Sequence, residues 1–138
     1  MAWSTLPPDS PSYTEACIVR AVQEYGTHPD LIRAVMAQEA GRVGQVRYNK
    51  DGSFDMGPMQ INSVHLPELS RFGITKEMLV NNECLNIVIG TYYLQRAIMQ
   101  SSSFWVGVGN YHSRTPDKNI GYQVKVWNRL QQLRGERQ

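Results

Sequence analysis

The sequence is poor in the residues that build metal and redox centres. It has two cysteines and three histidines, and Cys17, Cys84, His28, His65 and His112 fall at no metal-ligating or CxxC spacing, so no metal or other cofactor is expected. No glycine-rich phosphate loop, no nucleophile elbow and no nucleic-acid motif is present. No apolar run approaches the roughly 18 residues that span a bilayer, which excludes a transmembrane helix. Charge of one sign is also lacking: 14 Lys and Arg stand against 12 Asp and Glu, and a formal charge of +2 gives no argument for a nucleic-acid partner. Met1 to Pro8 lack the basic start and apolar core of a secretory signal, which fits a cytosolic chain or an exported one whose signal has been removed.

What is present reads as one helical domain. At 138 residues, with 41% hydrophobic residues, the chain is long enough to bury a sizeable core. A flexible N-terminal segment over 1–11 and a folded domain over 12–135 are expected, as a monomer. Ser12 and Glu15 have capping-box spacing before a helix from Tyr13 to Tyr25 that Gly26 stops. Thr27-His28-Pro29-Asp30 opens a second helix, Pro29 to Ala40. Arg42 to Asp55 reads as a loop or small hairpin with a turn at Asn49-Lys50-Asp51-Gly52, and Pro58 to Val64 as a short helix. Thr75 caps a turn, and Asn82 caps a long helix to Gln100 with a stripe at Leu85, Val88, Tyr92 and Leu94 or Ile98. Phe104 to Tyr111 is a short apolar helix, and Ile120, Val124, Trp127 and Leu130 mark the last one. The two cysteines are either buried hydrophobes in a reducing compartment or a helix-joining disulfide in an oxidising one.

Glu39 is the most informative residue. Ile32, Val35, Met36 and Glu39 fall at i, i+3, i+4 and i+7, which puts a carboxyl on the apolar stripe of its helix. It also lies in the last turn, where the carbonyl end disfavours negative charge. Both effects push a carboxyl pKa upward, as a general acid at neutral pH requires. The alternative is an acid turned to solvent at a frayed helix end. Further on, Gln60 and Asn62 alternate with Met59 and Ile61, and carboxamides on apolar surface suit sugar hydroxyls and N-acetyl groups.

Three blocks, Glu39-Ala40-Gly41, Asp55-Met56-Gly57-Pro58-Met59-Gln60-Ile61-Asn62 and Asn110-Tyr111-His112-Ser113, resemble the lytic transglycosylase family over roughly 16–127. The fit is to the small specialised members that accompany type III and type IV secretion, conjugation and pilus systems. The resemblance implies a mainly α, lysozyme-like fold (goose-type lysozyme or SLT catalytic domain) with a small loop or hairpin lobe flanking a cleft. It implies cleavage of the β-1,4 bond between N-acetylmuramic acid and N-acetylglucosamine, with 1,6-anhydro ends, on peptidoglycan glycan strands in the periplasm. Components of the secretion, conjugation or pilus machine are the implied partners, with no nucleic acid and no stable membrane insertion.

Carried onto this chain, Glu39 is the single acid/base, Met59 and Gln60 line the saccharide cleft, and Tyr111 bonds to and positions the Glu39 carboxyl. A Cys17–Cys84 disulfide is implied in the same way. The chain departs from the family at Ala40, Pro58 and His112, where Ser, Leu and Asn are usual. His112 takes the Asn role or caps the turn before Pro116, with the cap favoured. Asp55 is a candidate second carboxylate for a lysozyme-type hydrolase, weighed against a loop cap that binds backbone N–H groups. Asp51 reads as a turn residue. Tyr48 and Asn62 are further cleft candidates, and helical spacing puts Tyr92 and Trp105 in the core. A non-catalytic glycan-binding assembly module on the same fold is the reading from a different class.

Overall fold

The structure, a computed structural model, describes residues 10–137; the candidate flexible segment lies mostly outside them. Helix α1 spans Pro11–Tyr25, capped by Ser10, whose hydroxyl accepts the Tyr13 N–H. The start therefore lies two residues ahead of the Ser12–Glu15 box. Glu15 does not fold back on the cap, because its carboxylate is bound by Arg33 at 2.7 Å. Helix α2, Pro29–Glu39, is capped by His28 Nδ1 and ends with Ala40 in the left-handed region. Helices α4 (Lys76–Asn81) and α5 (Glu83–Met99) start at Thr75 and Asn82, each of which accepts an N–H three residues on. Helix α6 (Phe104–His112) starts at Ser103, and α7 runs Pro116–Glu136.

The segment between α2 and α4 forms the small lobe. Strands β1 (Val46–Tyr48), β2 (Phe54–Met56) and β3 (Ile61–Asn62) make an antiparallel sheet in that order, with Arg47 opposite Asp55 and Asp55 opposite Asn62. Asp51 closes the β1–β2 turn by accepting from the Ser53 N–H and hydroxyl. The helix expected over Pro58 to Val64 does not form. Gly57 and Gln60 both have positive φ, 67° and 52°, and the chain makes a tight turn into β3 and a 3-10 turn at Ser63–His65. A short α3, Leu66–Ser70, follows that the sequence patterning did not signal.

Helix α5 is the hinge between two cores. One is helical and joins Cys17, Ile18, Ile32, Val35, Ile87, Val108, Val126 and Leu130; the other joins Met56, Ile61, Leu69, Leu79, Ile89 and Tyr93 beneath the sheet. Because α5 is covered on most sides, it has no single buried stripe: Leu94 is buried, while Leu85, Val88, Tyr92 and Ile98 are half-buried. Buried Asn86 ties α5 to the lobe by donating to the Met56 and Leu79 carbonyls and accepting the Met59 N–H, all at 2.9 Å. Cys17 and Cys84 form a disulfide between α1 and α5. At the α5–α6 crossing, Gly107 has no room for a side chain, since a Cβ there would lie 2.5 Å from the Ile98 Cα.

The last helix turns a different face inward from the one expected. Asn119, Tyr122, Val126 and Leu130 are buried, whereas Ile120, Val124 and Trp127 are exposed. Exposed Trp127 meets Trp105 edge to face at 5.9 Å, and half-buried Trp105 packs against the helical core. The polar pair Asn119 and Tyr122 is drawn inward because each has a half-buried partner waiting: Asn119 donates to Asn110 Oδ1, and Tyr122 to Glu39.

Candidate active site

The end of α2 carries Glu39 into a cleft of about 700 Å³ between the lobe and the corner where α6 meets α7. Ala40 turns the chain, and Gly41 passes so close to the lobe that a Cβ would lie 2.0 Å from the Gly57 carbonyl oxygen. That contact fixes the carboxyl against the turn that opens β3. Arg47 on β1 donates to the Glu39 and Ala40 carbonyls at 2.8 and 2.6 Å, giving the bare end of α2 its hydrogen bonds.

The Glu39 carboxyl is pushed up to about 7 from its ordinary 4.5. Burial is the main cause; a hydrogen bond from Tyr122 opposes it, the Asp55 charge adds to it, and Arg47 opposes it more weakly. Tyr122 donates to Oε2 at 2.5 Å. The phenol that positions the carboxyl is therefore Tyr122 on α7 and not Tyr111. Tyr111, whose ring also borders the cleft, donates instead to the Met59 carbonyl at 2.7 Å and so pins the β3 turn to α6. Both phenols have pKa values raised first by burial and then by the Glu39 charge.

Of the other candidates, Glu39, Asp55, Gln60, Asn62, Tyr111 and His112 share the cleft, and Met59 and Tyr48 do not line it. The Met59 side chain is fully buried, with Thr91 Oγ1 at 3.8 Å from its sulfur and α5 beneath it. Tyr48 is 73% exposed, with its ring tilted on Phe54. Met59 lies in the turn between β2 and β3, where Gly57 and Gln60 in the left-handed region direct its side chain against Gly90 of α5. Gln60 is buried and folds its Nε2 back onto the Gly57 carbonyl at 2.9 Å.

Asp55 is not a loop cap. It sits in β2, and its two carboxylate oxygens accept from the side-chain amides of Asn62 at 3.0 Å and Asn49 at 3.2 Å. Asn62 is itself committed, since its Oδ1 also accepts the Val64 N–H. His112 does not cap the turn before Pro116, a task taken by Ser113, whose hydroxyl accepts the Thr115 N–H. It lies flat on the Tyr122 ring, 4.8 Å between centroids and 10° from parallel, and burial of that face lowers its pKa. The Ala40 side chain is exposed at the turn, and the bond to the acid comes from α7.

Tyr122 and Arg47 are the residues that reasoning from sequence missed. The signal for Tyr122 was Asn119-Tyr122-Val126-Leu130 at i, i+3, i+7 and i+11, a helical face that competes with the more apolar Ile120-Val124-Trp127 face. Arg47 carried no sequence signal, because its partners are backbone carbonyls. The assembled site is a desolvated carboxyl held by a phenol, beside an anchored carboxylate, in a cleft lined mostly by polar side chains. It is equipped to donate a proton and take one back.

Comparison with known proteins gives the family. The chain is 30% identical over 124 residues to invasion protein IagB of Salmonella typhimurium, covering 86% of this chain and 78% of that protein. It is 37% identical over 118 residues to the X polypeptide of Escherichia coli, covering 80% and 70%. It is 29% identical over 125 residues to protein IpgF of Shigella flexneri, covering 87% and 82%. Residues 16–129 match the Transglycosylase SLT domain, a stretch that begins in α1 and ends in α7 and so contains Glu39, the whole lobe and Tyr122. By that match the chain belongs to the transglycosylase SLT family, with its lysozyme-like fold.

Proposed function

We propose that the chain is a peptidoglycan lytic transglycosylase with Glu39 as its acid and base. The observation that carries this reading is the Glu39 carboxyl, half-buried at the end of α2, bound by Tyr122, with its pKa near 7. Protonated Glu39 gives its proton to the oxygen between N-acetylmuramic acid and N-acetylglucosamine. The C1–O bond then breaks as positive charge grows on the muramoyl C1 and ring oxygen. The new carboxylate is stabilised by the Tyr122 hydroxyl and takes the proton of the muramoyl C6 hydroxyl, whose oxygen closes on C1. The products are a 1,6-anhydro end and a free 4-hydroxyl, with no water consumed and Glu39 protonated again.

A hydrolytic route is the second reading, and the state of Asp55 favours it. That carboxylate faces the same cleft, its charge is felt by Glu39, and two amides hold it in place. As a nucleophile or stabiliser of the cationic sugar it would lead to water attack.

The biological setting follows from the same reading. The name of one relative, an invasion protein, supports a role in opening the wall locally for a type III or type IV secretion, conjugation or pilus apparatus. The Cys17–Cys84 disulfide favours an oxidising compartment such as the periplasm. No helix among the described residues is long and apolar enough to cross a membrane.

Mass spectrometry of fragments released from purified peptidoglycan tests the chemistry. 1,6-Anhydromuramic ends are expected from the wild type and from Asp55→Asn at reduced rate, with no release by Glu39→Gln. Reducing muramic ends, lost in Asp55→Asn, would establish the hydrolytic route. Binding without release by the wild type would leave a glycan-binding assembly module.

A further inference from the structure

The cleft has a charged exit. Lys50 at the hairpin turn, Arg114 after α6 and Lys118 in the first turn of α7 border it. Lys125, two turns further along α7, faces the same side, since its charge and that of Lys118 both act on His112. All four are exposed, and among the described residues none of them forms an ion pair. Lys118 comes near one carboxylate, Asp51, whose pKa is lowered first by hydrogen bonds from Ser53 and least by Lys118. Asp117 precedes Lys118, about 100° away around the helix. A polar cleft built for an uncharged sugar has no use for such a stripe.

Resting on the lytic transglycosylase reading, we infer that Arg114, Lys118 and Lys125, helped by Lys50, form a subsite for the carboxylates of the peptide stem that each muramic acid carries. The stem leaves the sugar at its lactyl group and bears several free carboxylates along a short extended chain. Lys118 and Lys125 are seven residues apart, about 10 Å along the helix. An extended tetrapeptide spans roughly 13–14 Å, so one stem reaches both from the cleft. The stripe gives the enzyme a preference for peptide-bearing strands over strands from which an amidase has removed the stems. Exposed charges of this kind contribute modestly one by one, so the preference is spread over the group.

The test compares intact glycan strands with amidase-stripped strands, for the wild type and for an Arg114→Gln/Lys118→Gln/Lys125→Gln variant. The wild type is expected to show about tenfold higher kcat/KM on intact strands, roughly two- to threefold for each exposed pair. In the variant that ratio is expected to fall towards one, and 0.5 M salt is expected to erase it in the wild type. Equal kcat/KM of the wild type on both substrates, or a ratio unchanged in the variant, overturns the subsite. If neither substrate yields anhydro ends, the lytic reading fails, and sedimentation of Glu39→Gln with intact and stripped strands decides the subsite alone. Tighter binding to intact strands, lost when the three charges are also removed, supports it; equal binding overturns it.

Discussion

Replacing Glu39 by Gln should stabilise the protein in alkaline solution while removing its proposed chemistry. Folding raises this carboxyl from 4.5 to about 7, so between those values the folded chain holds a proton that the unfolded chain has released. Stability therefore falls as pH rises through that interval and levels off above it. At 1.36 kcal/mol per pH unit the displacement sets an upper limit of roughly 3 kcal/mol. Glutamine is nearly isosteric, never ionises, and its Oε1 keeps the hydrogen bond from Tyr122. At pH 5 the variant and wild type should agree within about 1 kcal/mol; at pH 8.5 the variant should be ahead by about 2–3 kcal/mol, or about 6–10 °C in Tm. Urea unfolding of both proteins at pH 5, 7 and 8.5 reads this directly, and taking the difference cancels the other titrating groups. A difference that does not change with pH would refute the claim that Glu39 is a desolvated acid, and with it the main support for its role.

Three further expectations follow from the same contacts. Tyr122→Phe removes a hydrogen bond to a charged group, worth roughly 1.5–3 kcal/mol; kcat/KM should drop about ten- to a hundredfold. Because that bond lowers the Glu39 pKa, the alkaline limb of the pH profile should move upward, and an unmoved limb would show that Tyr122 only packs. Arg47→Ala strips two carbonyls at the end of α2 of their donor and should cost about 1–2 kcal/mol by urea unfolding, also with the limb shifted upward. Cys17→Ser/Cys84→Ser opens a cross-link spanning 67 residues and should lose about 2–4 kcal/mol, with the wild type falling to the same level in reductant.

The sequence by itself determined most of the helices and singled out Glu39 as a carboxyl on an apolar stripe. Helix starts at Thr75 and Asn82 are local devices, in which a side chain caps the N–H three residues on, so short-range reading suffices. Glu39 stood out because a carboxyl on an apolar stripe is a local contradiction. What failed were judgements about which face turns inward. Apolar content favoured Ile120, Val124 and Trp127, yet α7 buries Asn119 and Tyr122, because half-buried partners on α6 and α2 satisfy their polar atoms. Likewise Met59 reads as a cleft residue beside Gln60 until the positive φ at Gly57 and Gln60 sends its side chain into the core. On paper Tyr111 was the partner of Glu39, whereas in the fold Tyr122 donates to its carboxyl. The choice between them is made by the packing of α7 against α2, a contact across 83 residues that no local pattern encodes.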